Sequence, residues 1–334
     1  MSETAMQNVI VSGRVRLARN YHDLPFSAHK NPEHALLCIS RAREALEALD
    51  HEYTLYQLNA MPQVERMKLV EKHLISRDLL KNVDSSAALV RSDRHVSVMV
   101  NEEDHLRIQA IGSGCSLAQT AQEAFEAEEA LESVCTFSYD PQLGYLTSCP
   151  TNTGTGMRAS LMMHLPMLTR YKQMGNVNQT IAKLGLTIRG IYGEGSEALG
   201  DLYQISNQVT LGRTEEEIID AVSAVGKKMI NMELALRQRA MKEKSVELTD
   251  ALWRSYGVLR YARRMDEKEF MQHWSQLRLG TAMEIFSTPV AAVDELLTVA
   301  QNAHAARYAE EIDVSLSPEQ ARCEIIRKTL QLIP

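Results

Sequence analysis

From Thr214 to the C terminus the apolar residues keep helical spacing almost without interruption, whereas the first two thirds of the chain switch repeatedly between helical and strand periods. Such a chain lacks the regular strand and helix alternation of a doubly wound fold. The expected class is α+β, with a mixed domain over residues 1–235 and a helical domain over residues 236–334.

The individual elements follow from local patterns. Between Pro32 and Asp50 the positions Ala35, Ile39, Ala42, Leu46 and Leu49 predict a helix, with Asn31 as N-cap and Pro32 just inside it. A second helix is expected through Val64, Met67, Val70 and Leu74, after the breaker Pro62, which places His73 near its C-terminal end. Val96, Val98 and Val100, then Leu106, Ile108 and Ala110, alternate with their neighbours and predict two strands around the polar stretch NEEDH. Helix returns over 117–133, and short strands are expected up to about residue 211. In the helical half, Trp253, Tyr256, Leu259 and Trp274 could form an apolar face through which a homodimer assembles.

A formal charge of −7 provides no basic footprint for nucleic acid, so an anionic partner must be met locally by clustered arginines. No run of 18 apolar residues occurs, and MSETAMQNVIVSG lacks the layout of a secretory signal, so no membrane association and a cytoplasmic location are expected. The five cysteines (Cys38, Cys115, Cys135, Cys149, Cys323) are scattered and contain no Cys-x-x-Cys pair, which argues for free thiols and against a metal centre.

Four segments carry the chemistry. In SGRVR, Arg14 and Arg16 share one face of an extended segment, and paired guanidinium forks suit phosphate oxygens. NEEDHLR crowds Glu102, Glu103 and Asp104 beside His105 and Arg107; adjacent carboxylates of this kind need solvent, cations or metal, and a guanidinium acceptor needs a carboxylate before its nitrogen can attack. CPTNTGTGMRAS brings Cys149, Gly154, Gly156 and Arg158 together, the glycines allowing close approach of backbone to a ligand. RGIYGEGSE places Arg189 and Glu194 in a glycine-rich loop. The G-x-G-x-x-A match at Gly154 is rejected as a dinucleotide motif, because no βαβ layout surrounds it, and neither a P-loop nor a G-x-S-x-G elbow is present.

Together with YQISNQVTLGRTE at 203–215, these segments resemble the ATP:guanido phosphotransferase (phosphagen kinase) family over roughly residues 10–235. Within that family the chain is most similar to bacterial enzymes that phosphorylate arginine side chains of proteins. Only 11 residues precede Ser12, a helical C-terminal segment follows, and AMPQVERMKLVEKHLIS looks like that branch.

The resemblance implies a catalytic domain built on an antiparallel sheet flanked by helices, Mg²⁺ and ATP as cofactors, and transfer of the γ-phosphoryl group. It implies a phosphate site made of Ser12, Arg14, Arg16, Arg107, Arg158 and Arg189, with His73 packed on adenine. It makes Glu103 the carboxylate that aligns and deprotonates the guanidinium, Glu194 a second carboxylate favouring arginine, and Cys149 an electrostatic positioning group. Implied partners are proteins with exposed arginines, a zinc-binding activator, a heat-shock repressor as substrate and an AAA+ protease that reads the mark. A kinase of free arginine and an inactive arginine-binding module are the alternatives. Two departures stand out. SGR replaces the usual SSR, and Ala321-Arg322-Cys323 retains little of the family's C-terminal Arg-Asp-x-x-Arg-Ala motif, so Arg322 is expected to be dispensable for activity.

Overall fold

A computed structural model describes residues 3–113, 116–191, 198–312 and 315–331. The strands are β1 (Ile10–Arg19), β2 (Tyr53–Gln57), β3 (Ala87–Arg91), β4 (Val96–Val100), β5 (Leu106–Gly112), the short β6 (Tyr139–Asp140) and β7 (Gly144–Tyr145), β8 (Met157–His164), β9 (Leu186–Gly190) and β10 (Leu202–Asn207). The helices are α1 (Glu3–Gln7), α2 (Pro32–Glu47), α3 (Gln63–Glu71), α4 (Leu117–Val134), α5 (Pro166–Arg170), α6 (Met174–Ala182) and α7 (Glu215–Glu243). A helical C-terminal region follows: α8 (Ser245–Tyr261), α9 (Glu267–Ala282), α10 (Val290–Val299), α11 (Asn302–Ile312) and α12 (Pro318–Thr329).

Among the described residues, eight strands form one sheet in the order β2-β3-β4-β5-β1-β8-β10-β9, with every neighbouring pair antiparallel. Strand alternation sorts its residues onto two faces. Val15, Leu17, Ile108, Ala110, Ala159, Leu161 and Ile205 share one face and are buried in the main core. Helices α2, α4 and α7 cover that face. Two glycines set how closely they approach: a Cβ on Gly226 of α7 would lie 2.4 Å from Leu161 Cδ1, and one on Gly13 of β1 would lie 3.1 Å from Leu117 Cδ2 of α4. The runs in β3 and β4 are buried on both faces, because Ala88, Val90 and Met99 join a second cluster with Leu58, Leu69 and Leu79. That explains their continuous apolar sequence.

The expected Asn31 cap is in place, and a second cap not read from the sequence starts α7. Asn31 Oδ1 accepts from Glu33 N at 2.9 Å, and Thr214 and Glu217 form a reciprocal capping box that starts α7. Helix α7 then runs unbroken across residue 235.

The C-terminal helices dock on the sheet through buried polar groups. Arg278 of α9 pairs with Asp294 of α10 at 2.6 Å and donates to the carbonyls of Gln7 and Asn8 at 3.2 and 3.1 Å. Trp274 is fully buried, donates to Val293 O at 2.7 Å and meets His164 edge-on. With Leu259 also buried, neither residue can belong to a surface face. Trp253 is half exposed and packs on Phe286 and Tyr256 instead. Helical periodicity cannot tell a core stripe from an interface stripe, since both are apolar.

Arg322 of α12 is likewise buried. It donates at 2.7 Å to the carbonyls of Ala300 and Met265, and to Asn302 Oδ1. Beside the expectation that it is dispensable for activity, the structure gives it a structural role: a buried guanidinium joining three segments is part of the fold, whatever happened to the motif around it.

Candidate active site

The opposite face of the sheet is polar, and register brings its residues together. Arg16 of β1 lies opposite Arg158 of β8 and Gln109 of β5. Arg14 lies opposite Ser160, Ser12 opposite Met162, and Arg107 opposite Ala18. Across β10, Gln204 pairs with Arg189 of β9, so all five arginines and Ser12 project from one face. Residues from Ser12 to Arg189 thereby meet, because the strand order β5-β1-β8-β10-β9 lays their segments side by side.

Like charges this close repel. Burial and the neighbouring Arg14, Arg107 and Arg158 push the Arg16 guanidinium down to about 9. Arg158 is lowered by burial and then by Arg189 and Arg107. Arg158 donates to Ser206 Oγ at 3.1 Å, yet its Nε and that of Arg16 are buried without a hydrogen-bond partner. Cations held this close offer guanidinium donors that could meet a polyanion, whose charge would relieve their mutual repulsion.

His73 follows the C-terminal end of α3 at φ 57. It is half-buried beside Arg14, and burial together with that charge pushes its imidazole down to about 4, so the ring is neutral at physiological pH.

The NEEDH turn leaves β4 through Asn101, at φ 62, and re-enters at β5. Glu102 is buried, accepts from Ser76 Oγ and pairs closely with Arg107. Glu103 is half exposed, with Arg107 at 3.5 Å. Its carboxyl is raised by burial and by Asp104, while Arg107 opposes the shift. Asp104 is buried, and its Oδ1 accepts from Asn20 Nδ2 and from Ser148 N, both at 2.7 Å. His105 accepts from Tyr21 N at Nδ1 and lies 2.8 Å from Pro25 O through Nε2, so it locks the turn as a neutral ring.

Cys149 is half-buried one residue beyond that Asp104 bond, with its Sγ 3.0 Å from Thr151 Oγ1. Thr147 Oγ1 donates to Cys149 O at 2.7 Å, and Thr210 Oγ1 lies within hydrogen-bonding distance of the carbonyls of Thr151 and Thr153. The glycines of this loop serve a different purpose from the expected one. A Cβ on Gly154 would lie 2.5 Å from Thr210 O, and one on Gly156 would lie 2.7 Å from Ala18 O. The close approach is to the protein's own backbone; periodicity and glycine content alone cannot identify which chain fills that space.

Of the expected residues, Ser12, Arg14, Arg16, His73, Arg107, Arg158 and Arg189 are gathered on or beside one face, and Glu103 and Cys149 stand in loops joined through Asp104. Glu194 lies outside the described residues. Among the described residues no group of three or more His, Cys, Asp or Glu could hold a metal ion. Sequence reasoning missed the supporting residues Gln109 and Ser206. Gln109 was findable from strand period alone, two positions after Arg107; Ser206 required knowledge of which strand lies beside β8.

Residues 38–236 match the family model of the ATP:guanido phosphotransferase C-terminal catalytic domain, and residues 245–334 match that of the protein-arginine kinase McsB C-terminal domain. The chain is 43% identical over 302 residues to a protein-arginine kinase of Caldanaerobacter subterraneus, covering 89% of this chain and 90% of that one. It is 41% identical to a protein-arginine kinase of Staphylococcus haemolyticus, covering 99% and 97%. Among solved structures it resembles a lombricine kinase at 25% identity and TM-score 0.62, covering 70% of this chain and 68% of that one. It also resembles the duplicated taurocyamine kinase of Schistosoma mansoni with bound transition-state analogue components, at 26% identity and TM-score 0.64, covering 76% of this chain and 38% of that one.

Proposed function

The chain belongs to the ATP:guanido phosphotransferase family, and from that membership we infer that it is a protein arginine kinase, transferring the γ-phosphoryl group of ATP to arginine side chains of proteins. The observation that carries this reading is the near full-length likeness to protein-arginine kinases, 41% identity over 99% of this chain, joined to a sheet face bearing five arginines.

In this reading Arg14, Arg16, Arg107, Arg158 and Arg189, with Ser12, bind the phosphates. Preorganised cations stabilise the charge that spreads over the equatorial oxygens of the moving phosphoryl group. The transfer breaks the bond between the γ-phosphorus and its bridging oxygen and forms a bond to a guanidinium nitrogen. Glu103 aligns that guanidinium and takes its proton; the raised affinity of Glu103 for protons suits a base. Cys149 orients the same cation, the family resemblance assigns Glu194 as a second carboxylate for it, and His73, kept neutral, packs on the adenine. Mg²⁺, when bound, neutralises phosphate charge. A face of guanidinium donors fits a nucleotide that brings its own metal.

Residues 1–235 act as the catalytic domain and 236–334 as the helical domain. No described helix is long and apolar enough to cross a membrane, and the proposed setting is the cytoplasm. There a zinc-binding activator, a repressor substrate and an AAA+ protease that removes marked proteins are the proposed partners, and a homodimer is the proposed assembly.

The test incubates the purified chain with Mg²⁺ and ATP and either an arginine-rich unfolded protein or free L-arginine, then measures acid-labile phosphate. Label on protein arginine is expected. Label confined to free arginine would make it a metabolite kinase, and no label in either reaction with the activator present would make it a binding module.

A further inference from the structure

Gln109 is a polar residue on the arginine face to which the reaction above assigns nothing. It is 3% exposed, lies opposite Arg16 on one side and Ser97 on the other, and is two residues from Arg107. Its Nε2 donates to the carbonyl of His73 at 2.7 Å and to Ser97 Oγ at 3.1 Å, so both amide hydrogens are used. A carbonyl can only accept, which fixes the orientation of the amide.

His73 is an unusual place to find a histidine. The N–H of Leu74 returns to the Leu69 carbonyl at 3.0 Å, closing α3 with His73 in the left-handed position that glycine ordinarily fills. A side chain there is costly and persists only where its surroundings hold it. What holds it includes the amide of Gln109, reaching up from the sheet to the strained residue's own carbonyl.

We propose that Gln109 is a positioning residue, which acts through the His73 carbonyl to fix the imidazole at the nucleotide end of the arginine face. Both of its amide hydrogens are spent on protein acceptors, which leaves it no donor for phosphate. The wall against which the base packs is thereby preset before ATP arrives, so binding does not have to order it. The proposal rests on the reading that His73 packs on adenine.

The test is a double-mutant cycle on the full chain, reading KM for ATP, KM for the protein substrate and kcat. Gln109→Met keeps volume and removes both donors. It is expected to raise KM for ATP about three- to tenfold, the range of one lost hydrogen bond, with kcat and the other KM within about twofold. Ser97→Ala, which only loosens the amide, should move KM for ATP in the same direction by less. In a His73→Ala background Gln109→Met should add no further penalty, because the two residues act as one. A raised KM in His73→Ala beside a normal KM in both Gln109→Met and Ser97→Ala overturns the proposal alone. Full additivity does too, since it means that Gln109 acts on its own. An unchanged KM in His73→Ala overturns the reading of His73, and the proposal falls with it.

Discussion

The backbone N–H of Ser148 donates to the Asp104 carboxylate at 2.7 Å, so the loop that carries Cys149 is anchored directly to the turn that carries Glu103. The same Oδ1 accepts from Asn20, at the end of β1. One buried carboxylate therefore sets the spacing between two groups assigned to the guanidinium. Asp104→Ala is expected to lower kcat by on the order of a hundredfold through misplacement, and to destabilise the fold by about 2 kcal/mol through two lost charge-assisted bonds. Steady-state kinetics and denaturant melts on the same preparation measure both effects.

Glu103→Gln removes the proposed base and its long contact to Arg107 at 3.5 Å, while Glu102 still pairs with Arg107. A loss of about 10² to 10⁴ in kcat is expected, with ATP affinity retained. Calorimetric titration with ATP checks the second half; lost binding would place Glu103 on the phosphates. Because burial and Asp104 raise the Glu103 carboxyl above its usual range, the acid limb of the rate should fall at a higher pH than an ordinary glutamate would give.

His73 is held at about 4 in the fold against 6.5 for a free histidine. The unfolded chain therefore binds the proton more tightly, and stability should fall as pH drops from about 6.5 toward 4. His164, buried and also lowered, contributes in the same direction. His73→Asn, which tolerates the left-handed backbone, is expected to flatten the slope of Tm against pH in that window without abolishing it.

Gly156 has φ 61, and an added Cβ would lie 2.5 Å from Arg19 Nη1 and 2.7 Å from Ala18 O. Gly156→Ala should cost about 2 kcal/mol or more, from both backbone strain and the clash with β1. A shift in denaturant midpoint at constant slope would measure it.

Arg322→Ala leaves the carbonyls of Ala300 and Met265 without their partner. A loss of about 3 kcal/mol is expected, visible as a drop in Tm. An unchanged Tm would mean that the carbonyls find other donors.

Strand alternation, the Asn31 cap and the helical C-terminal third are legible in the sequence, because periodicity and capping are properties of neighbouring residues. So is the pairing of Arg14 with Arg16, two positions apart on one strand. That Arg158 and Arg189 join them was readable only by resemblance; in the fold it follows from strand order and register, which bring together segments far apart in sequence. The roles of Gly154, Gly156, Trp274 and Arg322 were decided at the same level. Each is defined by what occupies the space beside it: Thr210 and Ala18 for the glycines, His164 and Val293 for the tryptophan, three distant acceptors for the arginine. Residue type and spacing specify which local structure a segment prefers. Burial and partnership arise only when the chain closes on itself, and they give Arg322 its structural role.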